Sequence, residues 1–159
     1  MLNECINDPK ELKKDGIAVV TSNKIKPFLT DKKFLVHNGF KVVDEAYPYF
    51  ELLTLSFDST KESPRFTENA KEGIVLNKNK FSFIYSNQCP FMEEYVELLS
   101  NILKNKNISF EVIKLTTCKE AQELGSPFGT LGIYYNGKFV THELMTENKF
   151  EKFIEEVMK

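Results

Sequence analysis

The chain has 159 residues and a mass of 18.4 kDa, room for one domain or two small ones. Hydrophobic residues make up 42% and charged residues 28%, which excludes a disordered, collagen-like or disulfide-scaffold chain. Lys+Arg 21 against Asp+Glu 23 gives a net charge of -2, so no basic excess serves nucleic acid or an anionic membrane.

Taken in chain order, residues 1–8 read as the end of a helix, with Leu2 and Cys5-Ile6 on one side. Pro9 and the lysines after it close that element. Gly16-Ile17-Ala18-Val19-Val20 is a continuous apolar run rich in branched residues, the pattern of a buried strand. A helix is predicted over residues 30–38, capped by Thr30 or Asp31 and stopped by Gly39. Residues 40–44 and 50–55 read as two strands, and the short connection makes them antiparallel.

Residues 58–79 are polar and carry few core candidates, which marks a linker. Residues 80–159 alternate in character. Strands are predicted at 80–85, 108–115, 131–135 and 138–144, and helices at 92–105, 117–124 and 146–158. Thr117-Cys118-Lys119-Glu120 has the capping-box pattern, and Asn136-Gly137 is a strong two-residue hairpin signal. The predicted order is βαβαββα, with the first two strands parallel.

Apolar runs are a few residues long, against the ~20 that span a bilayer. Leu2-Asn3-Glu4-Cys5 lacks the basic and apolar regions of a secretory leader. Three widely spaced cysteines fit reduced thiols, so a cytoplasmic location is expected. Cys5, Cys89, Cys118, His37 and His142 show no metal-ligand spacing, so no metal site is expected.

The clearest chemical candidate is Tyr85-Ser86-Asn87-Gln88-Cys89-Pro90-Phe91-Met92. Cys89 follows a strand and precedes a helix, with Pro90 suited to the first helical position. Unpaired N–H groups and the helix dipole there favour a thiolate, whereas Glu93 and Glu94 oppose it. The segment resembles the active-site turn of thioredoxins and glutaredoxins, Tyr-Ser-x-x-Cys-Pro-Phe/Tyr-Cys. Met92 stands where that turn carries its second cysteine, which leaves a monothiol reaction. The competing reading is a thioredoxin-like scaffold kept for packing or binding. In that family a cis-proline precedes the third strand; Gly129 occupies the matching position here. Cys118 is a weaker candidate, as a resolving thiol.

Residues 2–57 resemble the C-terminal half of a GNAT-family N-acetyltransferase. The segments that carry the likeness are Leu2-Asn3-Glu4-Cys5-Ile6, Gly16-Ile17-Ala18-Val19-Val20-Thr21-Ser22 and Lys33-Phe34-Leu35-Val36-His37-Asn38-Gly39-Phe40. They would be the third helix, fifth strand and fourth helix of that fold. The whole chain is similar to GNAT proteins that carry a YoaP-type C-terminal domain. The resemblance implies an α/β protein: a partial GNAT-like sheet over 1–57, a linker over 58–79 and a thioredoxin-like βαβαββα domain over 80–159. It implies acetyl-CoA as cofactor and a small-molecule or peptide amine as acceptor. The strand end Val19–Ser22 (with Val20, Thr21 and Ser22), Asn23 and Phe34 would line what is left of the CoA cleft. The family's Arg/Gln-x-x-Gly-x-Gly/Ala loop for the pyrophosphate is absent, and Leu35 stands where a general-acid tyrosine is common. The expectation is therefore a truncated or split acetyltransferase, its Gly16–Val20 edge covered by a homodimer partner or a separate N-terminal half. Two rival classes stand beside it: a monothiol redox protein built on Cys89, and a non-catalytic interaction module.

Overall fold

The computed structural model describes residues 2–26, 29–73 and 80–159. The described residues are mixed α/β with two sheets, and the chain divides into two compact units between Lys71 and Glu72.

The first unit begins with α1 (Leu2–Glu11), which runs through Pro9 instead of ending there. Proline lacks one N–H donor, but its own carbonyl still accepts. Leu12 N donates to Asp8 O at 3.0 Å and Lys14 N to Pro9 O at 2.8 Å. The stop comes at Lys13, at φ 53°. Strand β1 (Gly16–Ser22) pairs antiparallel with β3 (Phe50–Ser56) in an unbroken register from Gly16↔Ser56 to Ser22↔Phe50. Strand β2 (Lys41–Ala46) pairs with the other side of β3, with a register shift between Val42 and Asp44. The order is β1-β3-β2, so β3 is central, and Phe50 to Thr54 are all buried.

Helix α2 (Lys32–His37) connects β1 to β2. Asp31 caps it by accepting from Lys33 N at 2.7 Å. Gly39, at φ 88°, lets the chain turn off the helix, and Phe40 N returns to Leu35 O at 3.1 Å. Leu35, Phe40 and Leu53 form the small core of this unit, flanked by Ile17, Val19 and Leu55.

The segment read as a linker carries α3 (Glu68–Glu72) and is bonded to β2. Arg65 Nη1 donates to Val43 O at 3.0 Å, Phe66 N to Asp44 Oδ2 at 2.9 Å, and Tyr47 N to Lys71 O at 3.0 Å. Ala70 is buried. Polar bonding to backbone and carboxylate holds this segment, which hydrophobicity alone does not reveal. Residues 74–79 of the expected linker lie outside the described residues.

In the second unit, β4 (Phe81–Ser86) is parallel to β5 (Phe110–Leu115) and antiparallel to β6 (Leu131–Tyr135). Strand β7 (Lys138–Thr141) pairs with β6, giving the order β5-β4-β6-β7. Helix α4 (Met92–Asn105) connects β4 to β5, α5 (Cys118–Gln122) follows β5, and α6 (Glu147–Val157) closes the chain. Phe81, Phe83 and Tyr85 of β4 pack with Val96, Leu99 and Leu103 of α4 and with Phe150 and Ile154 of α6. Burying each such side chain is worth about 1.5–3 kcal/mol, so packing rather than helix propensity holds α4 and α6. Asn136 and Gly137, at φ 52° and 78°, make the tight β6–β7 turn that their pairing predicts. Strand β7 ends at Thr141, short of the predicted Leu144. His142 is buried instead, its ring 4.3 Å from that of Phe128.

Candidate functional site

At the carboxyl end of β1 a cavity of about 150 Å³ opens against the start of α2. Thr21, Ser22 and Asn23 line it, with Thr30, Asp31 and Lys32 opposite. Thr21 and Ser22 are buried, and both hydroxyls donate to backbone: Thr21 Oγ1 to Thr30 O, Ser22 Oγ to Lys24 O. With each proton committed to a backbone carbonyl, these oxygens keep acceptor capacity only. Asn23 N donates to Tyr49 O at 3.0 Å, which ties the loop to the strand beside it.

Thr21 is paired with Glu51 across β1 and β3. Glu51 is buried on the central strand, and its Oε1 takes Lys32 Nζ at 2.6 Å. The pair anchors the first turn of α2 to the sheet beside Thr21. Neither residue stands out by motif. The one available signal is a lone acid inside the run Phe50-Glu51-Leu52-Leu53-Thr54-Leu55.

Of the five cleft candidates, Thr21, Ser22 and Asn23 come together on this cavity, while Val20 and Phe34 do not line it. Phe34 is 50% exposed on α2. Leu35 is buried in the core with Phe40 and Leu53, so its position in α2 faces packing rather than a ligand.

The second candidate region is the β4–α4 turn. Cys89 is half-buried and packs against the core of its unit. The helix begins at Met92, two residues later than a Pro90 start, and Met92 N donates to Cys89 O at 3.2 Å. Phe91 takes the cap position with no side-chain cap bond. Gln88 Oε1 accepts from Thr130 Oγ1 at 3.0 Å, and Ser86 N donates to Thr130 O at 3.2 Å. The turn thus lies against the Gly129-Thr130 loop.

Glu93, the acid expected to oppose a thiolate, is ion-paired with Lys114 at 3.0 Å. Burial pushes the Tyr85 phenol up, and the neighbouring Glu93 charge adds to it. Cys118 opens α5 and is exposed. Its capping box is complete: Glu120 N donates to Thr117 Oγ1 at 3.2 Å and Thr117 N to Glu120 Oε2 at 3.0 Å. The N–H groups of Thr116 and Thr117 hold the Glu120 carboxyl below its ordinary value. Cys5, Cys89 and Cys118 are all free thiols. Among the described residues no three His, Cys, Asp or Glu side chains gather as a metal site, and no helix is long and apolar enough to cross a membrane.

Residues 109–152 match the family model described as YoaP-like. Over 154 residues, 97% of its length, the chain is 36% identical to a Bacillus subtilis (strain 168) protein named "Uncharacterized N-acetyltransferase YoaP". It spans 61% of the length of that relative. No solved structure matches it.

Proposed function

We propose that the chain serves N-acetyl transfer from acetyl-CoA to an amine, and that the β1–α2 cavity is its contribution to the acyl-CoA cleft. The observation that carries this reading is the 36% identity over 97% of the chain to a protein named as an N-acetyltransferase. The sheet order β1-β3-β2, with α2 between β1 and β2, supports the likeness to the back half of a GNAT sheet. The order β5-β4-β6-β7, with β4 and β5 parallel, supports a thioredoxin-like reading of the second unit.

In such a transfer the amine nitrogen, having given a proton to solvent, attacks the thioester carbonyl carbon. The C–S bond then breaks and the CoA thiolate leaves. The Thr21 and Ser22 oxygens and the Asn23 side chain are the polar groups that this chain offers along the cofactor. Leu35 has no proton to give, and the sequence holds no loop of the Arg/Gln-x-x-Gly-x-Gly/Ala type, so leaving-group protonation and pyrophosphate recognition are not among the roles assigned here. The Cys89 unit reads as a partner- or substrate-binding part, since the buried Met92 replaces a second thiol. A cytoplasmic setting completes the reading.

The test is site-resolved. Titration of the labelled protein with acetyl-CoA should shift the backbone amide signals of Thr21, Ser22, Asn23 and Lys24 and leave those of Cys89 and Gln88 in place. Shifts confined to the β4–α4 turn, or none, would overturn the assignment.

A further inference from the structure

A second cavity, of about 250 Å³, lies at the turn that joins β2 to β3. Glu45, Tyr47, Tyr49 and Lys71 line it, and Asn23 lines both it and the β1–α2 cavity. Asn23 is therefore the wall that the two spaces share. Asn23 N donates to Tyr49 O and Tyr47 N to Lys71 O, each at 3.0 Å, so backbone bonds hold the turn on both sides.

The lining carries a net sign. Lys71 is already held by two carboxylates, Asp44 at 3.4 Å and Glu68 at 3.2 Å. Glu45 is exposed, and among the described residues no cation is paired with its carboxylate. The uncompensated charge at the cavity is thus negative. Much of the remaining lining is aromatic. A tyrosine ring attracts an ammonium that stands within about 6 Å of its centroid. The turn already shows such a contact: Lys26 Nζ, from the lining of the other cavity, stands 4.5 Å from the Tyr49 centroid. Tyr47 is 54% exposed, and among the described residues no cation stands over its ring. A carboxylate and a ring without a cation of their own suit a small organic cation, whereas an anion would meet the Glu45 charge.

We propose that this cavity binds a primary alkylammonium group, with Glu45 as its counter-ion and Tyr47 as its ring. Its role as the place of the acceptor amine, beside the cofactor cavity at Asn23, rests on the acetyl-transfer reading. Binding of the cation does not. An alkylamine is an ammonium near neutrality, as the ordinary lysine value of ~10.4 shows, so the site takes the form present in water. The proton then goes to solvent before the nitrogen can attack.

Backbone amide spectra of the labelled full chain test it, titrated at fixed pH with n-butylamine and, in parallel, with n-butanol, which has the same carbon chain without the charge. Butylamine should move the signals of Glu45, Ala46, Tyr47 and Lys71, and butanol should not. Glu45→Gln, at an exposed position, should weaken butylamine by about two- to five-fold, the range of an exposed ion pair. Tyr47→Ala should weaken it by a similar factor. A free amine and a lysine side chain present the same group. Nα-acetyl-lysine methylamide, run beside butylamine, distinguishes them, and the tighter binder names the source. Equal shifts with butanol, an unchanged affinity in Glu45→Gln, or no shift at these residues with or without acetyl-CoA would overturn the proposal. The Thr21 to Lys24 signals in the same spectra report acetyl-CoA separately. Amine shifts without acetyl-CoA shifts would keep the cation site and remove its acceptor role.

Discussion

Lys32 Nζ sits 2.6 Å from Glu51 Oε1, while among the described residues Glu51 Oε2 is buried with no hydrogen-bond partner. The carboxylate therefore relies on one cation. Removing Lys32 leaves a buried charge uncompensated, whereas removing the charge of Glu51 leaves a lysine that turns to solvent. Lys32→Ala should lower unfolding free energy by about 2 kcal/mol in urea titration, and Glu51→Gln by less. The reverse order would contradict this account of the pair.

Asp44 links β2 to the segment that follows the first sheet. Burial alone would raise its carboxyl. The N–H groups of Phe66 and Glu45 and the Lys71 ammonium at 3.4 Å outweigh burial and hold it below the usual value. A folded value below the unfolded ~3.9 means stability that is present above that pH and lost as pH falls through the folded value. Asp44→Asn should lower stability near neutrality by about 1–2 kcal/mol and flatten the acid limb of the stability profile below pH ~4. An unchanged acid limb would contradict the assignment.

Gly132 and Tyr134 share a face of β6. A Cβ at Gly132 would lie 2.6 Å from the Tyr134 ring, which is fully buried and has nowhere to move. Gly132→Ala should destabilise by about 1–3 kcal/mol. Among the described residues the Tyr134 hydroxyl is buried without a hydrogen-bond partner, and burial pushes the phenol well above its ordinary range. Tyr134→Phe should then be neutral or stabilising, since it removes a desolvated group that makes no bond. A loss above about 1 kcal/mol would reveal a partner for that hydroxyl.

The three thiols differ in access. Cys5 and Cys118 are exposed and Cys89 is half-buried. Alkylation of the native protein, followed residue by residue by mass spectrometry, should label Cys5 and Cys118 ahead of Cys89. Faster labelling of Cys89 would favour the monothiol reading over the acetyl-transfer one.

Periodicity and turn chemistry exposed most of the elements. The apolar run at Gly16, the spacing of Tyr95, Val96, Leu99 and Leu103, and Asn136-Gly137 each report a local preference that the fold keeps. Local rules failed where tertiary bonds decide. Pro9 is the exception, held inside α1 with its own carbonyl still accepting locally from Lys14 N. Residues 65–71 pack on β2 through Asp44 and backbone groups, not through apolar residues. At the candidate site, only the resemblance to the acetyltransferase fold points to Thr21, Ser22 and Asn23, and no local pattern marks them. The Lys32–Glu51 pair joins residues 19 apart, and a lone acid in an apolar strand carries no address for its partner.

Thermal unfolding with millimolar acetyl-CoA, with desulfo-CoA as control, tests the acetyl-transfer reading most directly. A ligand at ~100 times its dissociation constant adds ~2.7 kcal/mol, which moves the midpoint of a chain this size by several degrees. The account predicts such a rise with acetyl-CoA, and its loss when Asn23 and Thr21 are replaced together. A midpoint unmoved by acetyl-CoA at saturating concentration would contradict it.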